Sequence, residues 1–313
     1  MCKTARIFRI ERLNTHNGSG YRTVVYFKGC PLTCQWCHNP EGMQTRKEVW
    51  LLPAKCIKCG ECVQNCPSDA LSLASGNLTI ERSKCTGCYT CADVCPAKAI
   101  EKIGEDYTTE DIFKILIQDK IYFETSDGGL TVTGGEPGLY YEFVSELFQK
   151  CRKEGIQTAF DTSGSISEKA LEAIIPFTDM VFLDFKIWDT ENSLNYTSLN
   201  PEKAKYTLRW VQKFRKSHEF PKLQIRTPLI PGATDQDENL LSIGKYISGE
   251  FPDLVELWEW CMFNDLCEDK YQKLDKSWAF KGQKHTSNDF RDFTRLKSAF
   301  PDLKIEITGF YEK

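Results

Sequence analysis

Short apolar runs with strand character alternate with longer segments of helical spacing along most of the chain. Strands are predicted over 6–13, 21–27, 130–133, 157–161, 180–183, 223–227, 254–260 and 304–308. Helices are predicted over 108–119, 140–154, 167–175, 201–217, 237–249 and 289–299. This repeating β-α order predicts an α/β fold with a parallel sheet and helical crossovers. Because only six β-α units fit, we expect a partial (β/α)6 barrel rather than a closed eight-fold one.

Residues 47–105 break this alternation and carry an internal duplication. The spacing C-x2-C-x2-C-x3-C-P occurs twice, 29 residues apart, with Ala70 and Ala99 at matching positions. It is the bacterial ferredoxin spacing, in which the fourth cysteine of each run binds the other cluster. The predicted ligands are Cys56, Cys59, Cys62 and Cys95 for one 4Fe-4S cluster and Cys85, Cys88, Cys91 and Cys66 for the second. Paired zinc sites are the alternative. We expect 47–105 to be a ferredoxin-like insertion and 1–46 with 106–313 to form the barrel.

Composition and charge exclude several classes of partner. The formal net charge of −4 gives no electrostatic argument for nucleic acid or an acidic membrane surface. No apolar run approaches the roughly 18 residues of a membrane-spanning helix, and no signal-peptide core follows Met1. Eleven of the fifteen cysteines lie in three clusters, which is typical of metal ligation in a reducing compartment. The scattered ones are Cys2, Cys151, Cys261 and Cys267. We expect a cytoplasmic monomer.

The third cluster is a loop directly after the predicted strand 21–27. Cys30, Cys34 and Cys37 have the spacing C-x3-C-x2-C, and no fourth cysteine lies nearby in the sequence. Cubane iron–sulfur clusters are normally held by four thiolates, so three predict a 4Fe-4S cluster with one open iron. Glycine and polar residues end several later strands: the turn 134–137, Asp161 with Thr162, Asp184 with Lys186, and Arg226. Because such strand ends gather on one face of a barrel, these residues predict one active site.

The context of the cysteine loop over 27–41, with the Gly-Gly-Glu-Pro turn after a later strand, resembles the radical S-adenosylmethionine superfamily. It is more specifically similar to the activating enzymes of glycyl radical enzymes, and the two-cluster insertion is typical of their larger members. The similarity covers nearly the whole chain. It implies S-adenosylmethionine chelated to the open iron, one-electron cleavage to a 5′-deoxyadenosyl radical, and hydrogen abstraction from a glycine of a partner glycyl radical enzyme under anaerobic conditions.

The resemblance also implies roles for the strand-end residues. Gly135 and Glu136 would receive the ammonium of S-adenosylmethionine, since glycines permit close backbone approach. Lys186 would be catalytic in pairing the carboxylate as a compact charge. Arg226 would lie near that carboxylate with its forked donors. A tight turn, a strand terminus and a strand-end salt bridge are the structural alternatives for these positions.

Further contacts follow from the same resemblance. Trp36 would contact the adenine, or else only pack. Asp184 would hold the ribose side or a nearby cation. Asp161 and Thr162 would bind a monovalent cation, with a cap as the alternative. Cys261 stands where the family has a histidine near the adenosyl group, and it is either a buried inert cysteine or a contact to the nucleoside.

The electron source and the substrate leave alternatives open. The insertion is expected to relay electrons from flavodoxin or ferredoxin to the open cluster, with a structural role as the alternative. The segment 17–22 also departs from the family's Asp-Gly-Pro-Gly-Ile-Arg. Besides glycyl radical activation, two functions stay open: a radical S-adenosylmethionine enzyme acting on a small molecule or peptide, and an electron-transfer iron–sulfur protein. No residue names the partner.

Overall fold

The computed structural model describes residues 3–309, so Cys2 lies outside the described residues. The strands are β1 (Thr4–Asn14), β2 (Arg22–Phe27), β3 (Glu48–Leu51), β4 (Leu71–Ala74), β5 (Asn77–Ile80), β6 (Ile100–Ile103), β7 (Glu105–Thr108), β8 (Gly129–Gly134), β9 (Gln157–Thr162), β10 (Met180–Asp184), β11 (Lys222–Leu229), β12 (Val255–Met262) and β13 (Ile305–Thr308). The α-helices are α1 (Glu61–Gln64), α2 (Thr90–Asp93), α3 (Thr109–Ser126), α4 (Tyr141–Lys153), α5 (Glu168–Ile174), α6 (Thr190–Thr197), α7 (Glu202–Arg215), α8 (Asp237–Glu250), α9 (Glu268–Lys273) and α10 (Ser287–Leu296). Within residues 3–309, every helix is too short or too polar to cross a bilayer.

One nine-stranded sheet organises the fold, in the order β13-β12-β11-β10-β9-β8-β2-β1-β7. Neighbouring strands from β2 to β13 are parallel, whereas β1 pairs antiparallel with both β2 and β7. The seven parallel strands are joined by six connections that contain helices. In the described part of the chain, the sheet does not close into a full barrel, because β13 and β7 are its two edge strands. The predicted α/β fold with a partial six-unit barrel is therefore confirmed.

Alternation along the strands separates an apolar outer face from a polar inner face. Phe160, Leu183, Ile225 and Trp258 are buried in the main core, together with apolar residues of α3, α4, α5, α7 and α8. The next residues along these four strands are Asp161, Asp184, Arg226 and Glu259, all only partly buried. Because successive side chains of a strand point to opposite faces, the outer face packs on helices and the inner face is left for chemistry.

Helix α3 shows why one predicted element was too short. Its start is confirmed, since the Thr108 hydroxyl and the Asp111 carboxylate form a capping box. Its buried stripe continues past the predicted end at 119 to Phe123. Asp119 lies inside that stripe and is fully buried, but Arg12 and the Thr23 hydroxyl both donate to its carboxylate. Asp119 can therefore lie in the apolar stripe of α3, because Arg12 of β1 and Thr23 of β2 satisfy its carboxylate.

The insertion contains two small antiparallel two-stranded sheets around the cysteine runs. β3 pairs with β6, β4 pairs with β5, and α1 and α2 are single turns that carry the middle of each run. The insertion has its own core, with Val49, Leu71 and Tyr89 among its buried members. Glu105 already belongs to β7 of the main sheet. The domain boundaries at 46/47 and 105/106 stay a prediction.

Candidate functional site

A cleft of about 1110 Å³, part of it open to solvent, lies at the C-terminal ends of the parallel strands. The structure brings together there Cys30, Cys34, Trp36, Cys37, Gly135, Asp161, Thr162, Asp184, Lys186, Arg226 and Cys261 of the residues predicted from the sequence. Gly134 of the predicted turn 134–137 lines it too. Residues that the sequence reasoning missed also line it: Leu32, His38, Asn39, Thr133, Ser163, Pro228, Ile230, Met262, Phe263 and Asn264. Glu136 was also predicted to belong to this site, but it does not line the cleft.

The cysteine loop is closed at its base by backbone hydrogen bonds. Gly29 N–H donates to the Gly42 carbonyl at 2.7 Å, and Cys30 N–H donates to Met43 at 3.0 Å. The glycine turn after β8 lies against this base, because Glu136 N–H donates to the Gly29 carbonyl at 2.8 Å. A Cβ on Gly135 would lie 2.2 Å from that carbonyl oxygen. The second glycine of the turn is therefore required by close backbone approach to the loop.

Two helices that the sequence did not predict hold the sides of the loop. Thr33 and Gln35 donate backbone N–H groups to carbonyls at the end of α6, each at 3.0 Å. In α9, the Tyr271 hydroxyl donates to the Cys37 carbonyl at 2.9 Å, and Lys270 donates to the His38 carbonyl at 2.9 Å. Both helices are short and polar, so apolar periodicity could not reveal them.

Trp36 lies mainly in an apolar cluster beside the cleft. Its side chain is only 5% exposed and its ring centre is 6.1 Å from those of both Tyr196 and Phe280. Residues of α6 and of the segment that follows α9 thus fix the ring. The adenine contact stays a prediction.

Of the three thiols of the loop, Cys34 is buried and Cys30 and Cys37 are partly buried. Burial raises the pKa of Cys30 to about 12 and also raises the pKa of Cys34 and Cys37. Such thiols become thiolates only beside a strong positive charge, which bound iron supplies. Among residues 3–309, no three Cys, His, Asp or Glu side chains converge closely enough on a single metal ion. Soft thiol donors from one loop are the ligand type that iron–sulfur clusters take.

Lys186 supplies the cleft with a fixed positive charge. Its ammonium pairs with Asp184, and the side chain is 10% exposed. Burial alone would lower the pKa of Lys186, but the Asp184 carboxylate, and Cys34 in its thiolate form, outweigh it and raise the pKa. The Asn239 side chain donates to the Lys186 carbonyl at 3.1 Å and fixes the backbone. Lys186 is thus cationic and held at the cleft wall.

Arg226 is clamped between two carboxylates on the inner face of the sheet. It donates to Glu259 at 2.9 Å and to Asp161 at 3.3 Å. The Thr133 hydroxyl donates to Asp161, and the Thr308 hydroxyl donates to Glu259. Burial raises the pKa of Asp161 although Arg226 opposes it, whereas Asp161 and Glu259 raise the pKa of Arg226 against its own burial. Glu259 was missed, although its alternation with Trp258 along a strand could have placed it on this face.

The Glu136 carboxylate faces the protein rather than the cleft. It is fully buried and accepts from Gly138 N–H, the Thr162 hydroxyl, and both the N–H and hydroxyl of Ser163, at 2.7–3.1 Å. Burial raises the pKa of Glu136, and these donors counteract it. Glu136 therefore joins the turn after β8 to the turn after β9. Its predicted contact with an ammonium group stays a prediction, as does the cation at Asp161 and Thr162.

Cys261 lines the cleft at the end of β12. It stands opposite Pro228 of β11 and Thr308 of β13 in the sheet. Burial raises the pKa of Cys261 to about 12, so the thiol is neutral at ordinary pH. Its predicted contact with a nucleoside stays a prediction.

The structure also groups the eight cysteines of the insertion around two cavities. The first cavity is lined by Cys56, Cys59, Cys62 and Cys95. The second cavity is lined by Cys66, Cys85, Cys88 and Cys91. The matching alanines have a physical role, because Ala70 N–H donates to the Cys66 sulfur and Ala99 N–H to the Cys95 sulfur. Each cavity offers four thiols, and their ligation of clusters stays a prediction.

Comparison with known proteins adds a family to this geometry. A family model described as the radical SAM superfamily matches residues 82–242, and one described as a 4Fe-4S dicluster domain matches 51–102. The (2S)-3-sulfopropanediol dehydratase activating enzyme of Klebsiella oxytoca is 35% identical over 94% of this chain and 93% of its own. The choline trimethylamine-lyase activating enzyme of Oleidesulfovibrio alaskensis is 32% identical over 78% of each chain. A solved domain of pyruvate-formate lyase-activating enzyme from Bacteroides vulgatus matches 58% of this chain and 99% of its own, with a TM-score of 0.46 and 22% identity.

Proposed function

Since the chain belongs to the radical S-adenosylmethionine superfamily, and within it to the activating enzymes of glycyl radical enzymes, we propose that Cys30, Cys34 and Cys37 hold the cluster that binds S-adenosylmethionine. When bound, this 4Fe-4S cluster and S-adenosylmethionine supply the one-electron sulfonium cleavage to a 5′-deoxyadenosyl radical that takes hydrogen from a glycine of the partner enzyme. The observation that carries the proposal is the cleft itself, where three thiols of one loop share a wall with Lys186.

The residues of this chain bind and orient the methionine part of S-adenosylmethionine. Lys186 is the buried cation that suits its carboxylate, and Asp184 holds the ammonium of Lys186 in place. Gly134 and Gly135 line the cleft with their backbone, because they carry no side chain. Backbone carbonyl groups there would accept hydrogen bonds from the ammonium of S-adenosylmethionine. Glu136 acts through the backbone by tying this turn to Thr162 and Ser163.

The inner-face network surrounds Arg226, which stands beside Asp184 on the neighbouring strand. Arg226 forms ion pairs with both Asp161 and Glu259. Any ligand that contacts Arg226 therefore also lies near these two carboxylates. We assign to Arg226 the positioning of the substrate carboxylate and to Asp161 with Thr162 a monovalent cation beside it. For Cys261 we keep the predicted contact with the nucleoside, and unchanged S-adenosylmethionine affinity in a Cys261→Ser variant would refute it.

The insertion would bring the number of 4Fe-4S clusters to three. Its two cavities each present four cysteines, as two full-thiolate clusters require. We assign to them the relay of electrons from flavodoxin or ferredoxin. Relatives named for a dehydratase and for a lyase are 35% and 32% identical to this chain, so glycyl radical enzymes of both kinds are candidate partners.

The test uses the anaerobically reconstituted protein and a candidate glycyl radical enzyme. We expect dithionite reduction to release 5′-deoxyadenosine and to give a doublet in the electron paramagnetic resonance spectrum of the partner. Cys34→Ala should lose the iron of one cluster and both products, whereas Cys151→Ala, in the apolar core, should keep them. Release of 5′-deoxyadenosine without a radical on any glycyl radical enzyme would instead favour a small-molecule or peptide substrate. No binding of S-adenosylmethionine would refute the proposal.

A further inference from the structure

The two cysteine runs differ at matched positions, and the first difference shows which run lies against the barrel. Lys58 and Gly87 occupy the same place in the duplication, and both have left-handed backbone, with φ of +63° and +70°. Gly87 is buried, and a Cβ there would lie 2.5 Å from the Lys47 carbonyl oxygen. Lys58 is exposed to solvent. The second run therefore packs on the segment leading from the cysteine loop, where the first run faces water.

A second matched pair repeats this asymmetry. Gly60 and Tyr89 both have positive φ, yet a Cβ on Gly60 would meet nothing closer than 4.0 Å, whereas Tyr89 is only 8% exposed. The Tyr89 hydroxyl donates to the carbonyls of Ile103 and Gly104. The Lys47 ammonium lies 5.6 Å from the centre of its ring. The second cavity is thus joined to the chain that returns to the barrel.

Packed contacts continue from this point to the cysteine loop. Gly104 lies against Lys28, since a Cβ there would be 2.5 Å from the Lys28 side chain. Lys28 is completely buried, and it donates to the Glu41 carbonyl at 2.6 Å and to Glu48 at 2.7 Å. Lys28 precedes Gly29 and Cys30, and Glu48 begins β3, whose Val49 lines the second cavity. The second cavity and the cysteine loop are therefore connected by buried, hydrogen-bonded structure.

The rim of the first cavity has the opposite character, because it is exposed, basic and partly apolar. Ile57 is 64% exposed, and Lys58 and Lys98 lie in or between residues that line the cavity. Neither lysine forms an ion pair within residues 3–309. Glu61 also lines this cavity and is exposed. The residues matched to Ile57, Lys58, Glu61 and Lys98 around the second cavity are Thr86, Gly87, Thr90 and Asp69. At these places the first cavity carries two lysines and one glutamate, a net positive charge, whereas the second cavity carries a net negative charge, on a chain whose net charge is −4.

We propose that the first cavity is where electrons are taken up, and that Ile57, Lys58 and Lys98 form the docking face for an acidic, low-potential electron carrier protein. The second cavity is then the one that passes the electron towards the cysteine loop. In the docking step the carrier is oxidised by one electron and the cluster held by Cys56, Cys59, Cys62 and Cys95 is reduced by one, with no bond or proton transferred. This inference rests on the proposed function, because it assumes clusters in both cavities.

The experiment measures binding and reduction separately in the reconstituted protein. Calorimetry with oxidised flavodoxin gives the affinity, and stopped-flow absorbance with reduced flavodoxin gives the rate of cluster reduction. Lys58→Glu with Lys98→Glu should weaken binding roughly tenfold or more, and the loss should shrink at high salt. Ile57→Glu should also weaken binding, because a docking face needs its apolar centre. Iron content must stay at the wild-type level in each variant.

Matched controls decide whether the effect belongs to this face. Asp69→Lys changes the equivalent place at the second cavity, and Ile121→Glu changes an isoleucine of α3 that is 61% exposed. Both should bind flavodoxin like the wild type. Wild-type affinity in the double lysine variant, or an equal loss in the controls, would overturn the docking face. Failure of the dithionite-reduced wild type to release 5′-deoxyadenosine would refute the proposed function instead, since dithionite needs no docking face.

Discussion

Replacing Gly135 by alanine tests whether the glycine turn supports the cysteine loop. The new Cβ would lie 2.2 Å from the Gly29 carbonyl oxygen and 2.7 Å from that of Gly42, the two ends of the loop. Both contacts are with backbone, so no side chain can rotate away, and overpacking of this kind costs about 1–3 kcal/mol. The displaced turn also strains the bonds from Gly135 to Phe27 at 2.7 Å and from Glu136 to Gly29 at 2.8 Å. Weakening these two bonds adds about 1 kcal/mol, for a total of about 2–4 kcal/mol.

This cost should appear in ligand binding, because binding requires the native loop. A loss of about 2 kcal/mol or more weakens the affinity for S-adenosylmethionine by at least roughly tenfold. Anaerobic calorimetry measures that affinity, and iron analysis shows whether the cluster is kept. Gly249→Ala is the matched control, because a Cβ there meets nothing within 4 Å and helix α8 gains propensity. If Gly135→Ala bound S-adenosylmethionine as tightly as Gly249→Ala, the steric reasoning would be wrong.

Two further predictions concern the ionic network and a helix cap. Glu259→Ala leaves Arg226 with one carboxylate and should lower stability by roughly 1–3 kcal/mol, whereas Glu306→Ala, whose side chain is 50% exposed, should be nearly neutral in the same denaturant titration. Hydrogen bonds from Thr108 hold the pKa of Asp111 below 3.8, so its stabilisation of α3 is present above pH 3.8 and lost as the pH falls through the lower folded value. Melting Asp111→Asn across the acid range should show a flatter loss than wild type, and parallel curves would contradict the assignment.

The support of the cysteine loop explains why its environment was only half predicted. The spacing of Cys30, Cys34 and Cys37 predicts a cluster site. The other predicted site residues follow parallel strands, so they lie at the same edge of the sheet. The groups that hold the loop come from α6 and α9, about 160 and 230 residues further along the chain. Their contacts are single hydrogen bonds from short polar helices. Such contacts leave no periodic pattern, so only the folded chain brings them to the loop.

Local patterns in the sequence determined β1, β2 and the strands from β8 to β13, most of the longer helices and the parallel β-α arrangement, but they did not predict β3 to β7. These features depend on near neighbours, because periodicity, caps and cysteine spacing all act over a few residues. The tertiary structure alone decided the direction of the Glu136 carboxylate, the clamp of Glu259 on Arg226, and the side of the duplication that meets the barrel. The difference between Lys58 and Gly87 is visible in the sequence. Its meaning depends on the Lys47 backbone beside Gly87, and such a long-range contact exists only after folding.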